Sequence, residues 1–211
     1  MTALTTMRTL VITQIPAAND LLIDRVILEA AREFCKQTRV LRQNVTGTVT
    51  ADTLNVTLTP PTDTELIDVV SATLDGNRLT RKTTSQLDVI NPKWRTETGG
   101  SDFITLSDTL NDVLVAPLSA TTFTSGLVVR GAWRPVLGAT TLDDRLVSDW
   151  SDALLAGAYA RLYGIPGQSW SSPQMSDYYQ SMFAAKTEEA TQEATDSNMK
   201  GVVRKVKYGG L

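Results

Sequence analysis

Histidine is absent from the 211 residues of this chain. That absence removes Ser-His-Asp and Cys-His catalysis, imidazole acid–base chemistry and the commonest metal ligand together. The single cysteine, Cys35, excludes an intramolecular disulfide and a cysteine-only zinc site. Beside Phe34 in a helical pattern, it reads as a buried structural thiol. No apolar run approaches the ~20 residues that span a bilayer. Met1 to Arg8 is polar and lacks the apolar core of a signal peptide, so a cytoplasmic, unprocessed product without a membrane partner is expected. Acid exceeds base, with a net charge of −3 and a pI near 5.0, which argues against gripping nucleic acid through a broad basic surface. Aromatics are few, at 6%. A carbohydrate platform is one use for them, but Trp150, Tyr178 and Tyr179 stand at helical spacing and read as core. Trp94 and Trp133 are expected to seat a β module on the helices.

The remaining composition, 42% hydrophobic and 20% charged, is that of an ordinary globular protein. It suits one large domain or a helical body with a β insertion. The periodicity favours the second: an α+β fold in which a bundle of three to four helices, residues 1–40 and 136–198, carries an inserted antiparallel β module, residues 41–135. Leu10 to Thr13 reads as a short strand. From Asn19, the residues Leu22, Ile23, Val26, Ile27, Ala30, Ala31, Phe34 and Cys35 recur at helical steps, with Asn19 or Asp20 as cap. Threonine, valine and leucine then dominate, Asp75-Gly76 signals a hairpin, and Ser85 to Ile90 reads as a helical turn. Thr141-Leu142-Asp143-Asp144 has the form of a capping box before the next helix, which Gly164 closes as a left-handed cap. Ser172 and Pro173 open the last helix, through Met175, Tyr178, Tyr179, Met182 and Phe183.

Chemistry has little to build on. Gly99-Gly100 and Gly209-Gly210 lack the strand, lysine and helix of a phosphate loop. Asp143-Asp144 reads as helix capping, and Asp102, Asp108 and Asp112 as turn formers. No cofactor, metal or catalytic residue is assigned. Three features stand out instead. Ala156, Gly157 and Ala160 form a close-packing helix surface. Pro166, Gly167 and Trp170 form a turn that pins two helices together. After an acidic stretch, residues 199–211 form a basic arm in which Lys200, Arg204, Lys205 and Lys207 interleave with Val202, Val203, Val206 and Tyr208. The arm admits three readings: a solvated charge run, a segment that docks in an acidic groove of a partner ring, or a DNA contact. Its regular apolar spacing ranks docking above DNA.

Several of these segments, taken in order, resemble the head-to-tail connector (adaptor) proteins of tailed bacteriophages. They are Ala30-Ala31-Arg32-Glu33-Phe34-Cys35, then Thr38-Arg39-Val40-Leu41-Arg42, and the Leu74-Asp75-Gly76-Asn77 hairpin. Next come the strand Leu127 to Pro135, Gly157-Ala158 with Arg161-Leu162, Pro166-Gly167-Gln168-Ser169-Trp170, and Tyr178-Tyr179 with Phe183. The ordered set covers roughly residues 15–190. The resemblance implies a non-enzymatic subunit of a homo-oligomeric ring, twelve-fold in this family, beneath the portal protein. The ring extends the DNA channel without reading DNA sequence and meets a tail or nozzle protein. Manufacture in the host cytoplasm and residence in the virion follow. The helices of residues 19–37, 142–163 and 173–195 would surround the channel, and the arm would reach the portal. Two other readings remain: a tail-completion or tail-terminator ring protein, and a β-domain binding module with an aromatic platform in residues 40–135.

Overall fold

The computed structural model describes residues 1–199. A short strand β1 (Thr2–Ala3) leads into helix α1 (Leu4–Gln14), where a strand at Leu10 to Thr13 was expected. Val11, Ile12 and Thr13 have strand propensity, but Leu4, Met7, Val11 and Ile15 bury at helical spacing and tertiary burial overrides it. Helix α2 (Asp20–Thr38) starts at Asn19, whose side chain accepts from the Leu21 N–H, and ends at Arg39 in a left-handed conformation (φ 51°). A non-glycine residue holds that conformation here with its guanidinium 2.9 Å from Asp68.

The β region comprises β2 (Arg42–Val49), β3 (Asn55–Thr57), β4 (Thr64–Leu74), β5 (Asn77–Arg81), β6 (Thr98–Gly99), β7 (Phe103–Leu106), β8 (Asp112–Ala116), β9 (Leu118–Ser119) and β10 (Phe123–Pro135). Helix α3 (Thr84–Ile90) interrupts it. Seven strands form one sheet in the order β2-β10-β4-β5-β7-β8-β3, and β6 pairs with β9 separately. Asp75 (φ 47°) and Gly76 (φ 80°) make the expected β4–β5 hairpin. The sheet is mixed, not purely antiparallel, because α3 carries the chain across and β7 returns parallel to β5. The two ends of the sheet curl together: a Cβ on Gly47 of β2 would lie 2.9 Å from Val56 and 3.0 Å from Leu58, beyond β3. Register shifts at Arg130/Gly131 and Ala132/Trp133 bend β10 against β4 and aim Trp133 into the core. Trp94 instead joins Leu87 and Ala116 in a small separate cluster beneath α3, so of these two tryptophans Trp133 alone belongs to the core that the β region shares with the helices.

A strand β11 (Thr141–Leu142) pairs with β1 before helices α4 (Asp144–Tyr163) and α5 (Pro173–Met199). Asp143, not Thr141, caps α4, accepting from the Arg145 N–H at 2.9 Å. The freed Thr141 bonds Asp63, whose carboxylate accepts from both the side chains and the backbone N–H groups of Thr140 and Thr141 and is held below the usual carboxylate range. Gly164 is right-handed (φ −77°), and the left-handed glycine is Gly167 (φ 78°). What Gly164 supplies is room, since a Cβ there would sit 3.1 Å from Ser176 Oγ on α5. The described residues thus hold five helices, α1 being the addition to the expected bundle.

Helices α2, α4 and α5 converge at Gly157. A Cβ at that position would lie 2.9 Å from Ala30 Cβ of α2 and 2.9 Å from the Phe183 ring of α5. Around it Phe34 packs on Trp150 (centroids 5.6 Å apart) and on Phe183 (6.3 Å). A second clamp joins this bundle to the sheet. Glu65 of β4, nine-tenths buried in its side chain, receives Arg32 of α2 at 2.8 Å and Arg134 of β10 at 2.6 Å. Arg32 also donates to the Pro135 carbonyl at 2.6 Å.

Three outcomes are expected. Gly157→Ala destabilises by about 1–2 kcal/mol in urea melts, because overpacking outweighs the helix-propensity gain of up to ~1 kcal/mol. Glu65→Gln costs about 2–3 kcal/mol, less than the loss of a fully buried partner because Arg134 is partly solvated, whereas removing the exposed partner in Arg25→Ala costs under ~1 kcal/mol. Burial pushes the Cys35 thiol far above its ordinary range, so a thiol reagent labels it only at the rate of unfolding.

Candidate assembly surface

The close-packing residues Ala156, Gly157 and Ala160 are buried within the folded chain, Gly157 between Ala30 of α2 and Phe183 of α5. The Pro166–Gly167 turn is exposed, and the indole N–H of half-buried Trp170 donates to the Leu162 carbonyl at 3.2 Å. The same turn lets Ser176 Oγ donate to Ala160 O at 2.8 Å and the Ser172 N–H to Tyr163 O at 3.0 Å. These bonds fall on the carbonyls of the last turn of α4, where Ala160 O also accepts the Gly164 N–H. Tyr179 and Tyr163 stack nearly parallel, with Gln14 of α1 donating to both hydroxyls. Tyr178 stands 61% exposed beside them, contrary to the core position its spacing suggested. The arm residues Lys200, Val202, Val203, Arg204, Lys205, Val206, Lys207 and Tyr208 lie outside the described residues.

The acidic candidates are tied into the fold. Asp143 caps α4 and accepts from Gln43 Nε2 at 2.8 Å. Asp144 receives the Met1 amine and the Thr2 hydroxyl, which hold its carboxyl below the usual range. Asp68 binds Arg39 and Arg81, and Glu33 binds Arg161 across α2 and α4. Among the described residues no three Cys, Asp or Glu side chains gather as a metal-holding group. No helix there is long and apolar enough to cross a membrane.

Cations are distributed differently. An open groove of about 830 Å³ runs between β2, β10 and the start of α4, and Arg42, Arg130 and Arg145 all line it. A smaller hollow of about 200 Å³ bounded by the same three arginines reaches Glu193 and Ala194 of α5. Strand pairing builds the first part: Arg130 stands opposite Asn44, and Arg42 lies two residues along β2 on the same face. Arg42 donates to Arg39 O at 2.9 Å and Ala194 O at 3.1 Å. Burial, then the neighbouring Arg130 and Arg39 cations, lowers its pKa from the ordinary arginine value. Arg130 and Arg145 are exposed, and neither makes an ion pair among the described residues. This cluster leaves almost no trace in the sequence. Its only local signal is a pair of arginines inside strand segments, and the third comes from a distant helix.

The arrangement offers charge and contact surfaces. A family model described as SU10 adaptor protein matches residues 1–205. No curated protein matches the chain significantly. The matched span takes in nearly the entire sequence, including every helix and strand described above, so the chain belongs to the SU10 adaptor protein family, in keeping with its resemblance to phage head–tail adaptors.

Proposed function

We propose that the protein is a structural ring subunit of the phage virion, twelve copies seated beneath the portal protein. It extends the DNA channel and offers its distal surface to a tail or nozzle protein. The family match over residues 1–205 is the observation that carries this reading. The physics of the fold supports it. Helices α2, α4 and α5 are locked at Gly157, the sheet is clamped to them through Glu65, and the resulting body is stiff enough to transmit load between neighbours. On this reading the protein is not an enzyme and needs no cofactor. The net acidic chain suits a bore through which DNA passes without sequence-specific contact, because phosphates are not held by carboxylates. Residues 200–211, entered directly from α5, serve as the portal-docking arm, with valines and Tyr208 wedging and lysines pairing with acidic portal groups. The subunit is made in the host cytoplasm and has no membrane partner.

Co-assembly with the portal protein of the same virion tests the proposal, comparing the full chain with one ending at Met199. Electron-microscope class averages are expected to show a twelve-fold ring capping the portal for the full chain and bare portals for the truncation. A ring that survives truncation removes the arm's role but keeps the adaptor seat. A full chain that ignores the portal and caps tail tubes overturns the seat in favour of a tail-side ring.

A further inference from the structure

Exposed apolar side chains are mostly scattered singly along the described residues, which is ordinary for a folded surface. Two places differ. Val89 and Ile90, 84% and 51% exposed, are consecutive and end helix α3. Leu87 is the one buried residue of that helix, in the small cluster with Trp94 and Ala116, so the apolar tip of α3 faces water. The second place is on α5, where Met175 and Tyr178 stand exposed three residues apart on one face. Tyr178 meets Tyr179 edge-on with centroids 5.2 Å apart, and Tyr179 stacks on Tyr163 at 5.8 Å. Tyr178 is therefore the outer end of an aromatic row that Gln14 of α1 braces from behind.

The charges beside the two patches are opposite in sign. Next to Val89, Asp88 already binds Arg95 and accepts from the Trp94 indole N–H, and Asn91 donates to Glu97. Lys93 is exposed and makes no ion pair among the described residues. Across residues 77–97 Lys and Arg outnumber Asp and Glu by five to two. Next to Tyr178 stands Asp177, likewise exposed and outside the ion pairs of the described residues. Across residues 173–195 the acids lead by four to one. Both patches stay exposed in the folded chain, so neither covers the other there, and a second copy can bring them together. A nucleic-acid backbone suits the tyrosine patch poorly, because Asp177 would repel its phosphates.

We propose that the tip of α3, Val89 and Ile90 with Lys93, seats on Met175, Tyr178 and Asp177 of α5 from a second copy. The contact joins two different surfaces, so it is heterologous and repeats from copy to copy, closing where the rotation permits. The inference rests on the ring reading above and gives that ring one of its subunit contacts. Tyrosine suits the centre of such a contact, because it buries a large area while immobilising only two side-chain angles. The Lys93–Asp177 pair at the rim acts on encounter and register, and salt weakens it.

Substitutions in the full-length protein test it, with ring yield on the portal protein read from electron-microscope images. Every side chain changed is exposed, and unchanged circular-dichroism melts confirm that each variant folds. Val89→Ser with Ile90→Ser, and separately Tyr178→Ser, are expected to lower ring yield roughly tenfold. Lys93→Asp and Asp177→Lys each lower it about threefold or more, by setting like charges together. The two changes in one chain restore it, because every contact around the ring then carries the reversed pair. Variants that form rings as well as the wild type, or a doubly reversed chain as poor as either single one, overturn the contact and leave the ring reading standing. A wild-type chain that forms no ring on the portal overturns the ring reading and this contact with it. Intact rings that lose the tail or nozzle protein when Val89 and Ile90 are changed reassign the tip of α3 to that distal partner.

Discussion

At Gly157 a missing side chain allows three helices to occupy space that any other residue would claim. The Ala30 methyl and the Phe183 ring approach from opposite partners to distances at which a Cβ cannot stand. Interior packing at this density leaves one arrangement of α2, α4 and α5, and the rest of the molecule is arranged around it. The tight turn at Pro166–Gly167 returns α5 at the right height. The kink at Trp150 (φ −129°) lets α4 present its aromatic ring to Phe34 while its first turn keeps the cap at Asp143. The long strands β4 and β10 meet this frame at their far ends, where Leu66, Gly131 and Trp133 crowd together.

Charge completes what packing begins. Two arginines from different layers share Glu65, and two more share Asp68, so one strand, β4, carries the acids that hold the helices to the sheet. A buried carboxylate with two guanidinium partners specifies orientation more than it adds stability, since any register slip would strand a charge. Shared carboxylates of this kind, tying separate elements together, are consistent with a scaffold. The groove between β2, β10 and α4 differs in bringing the exposed Arg130 and Arg145 together at the surface.

Much of the helical body was legible in the chain because its signals are local. The apolar period of Asp20–Thr38 with Asn19 before it, the Ser172-Pro173 start and the Asp75-Gly76 turn each depend on residues a few positions apart. Errors fell where a neighbour in space decided the outcome. Leu10 to Thr13 became helix because Leu4, Met7 and Val11 found a core to enter. Thr141 gave up the cap of α4 because Asp63, far away in sequence, took its hydroxyl and N–H. Trp94 left the main core for a pocket made by α3.

The sequence alone determined the α+β class, the helix limits set by caps and periodicity, the chemistry removed by the lack of histidine, and the adaptor resemblance. Each of these is written in composition or in short spacings that local physics reads directly. Only the tertiary structure decided that the sheet is mixed and curled and that α1 joins the bundle. It alone placed Gly157 between two particular partners and brought arginines from β2, β10 and α4 into one groove. Those outcomes depend on which apolar faces and charges meet across long stretches of chain, and pairwise contact at such separation leaves no periodic trace in the sequence that makes it.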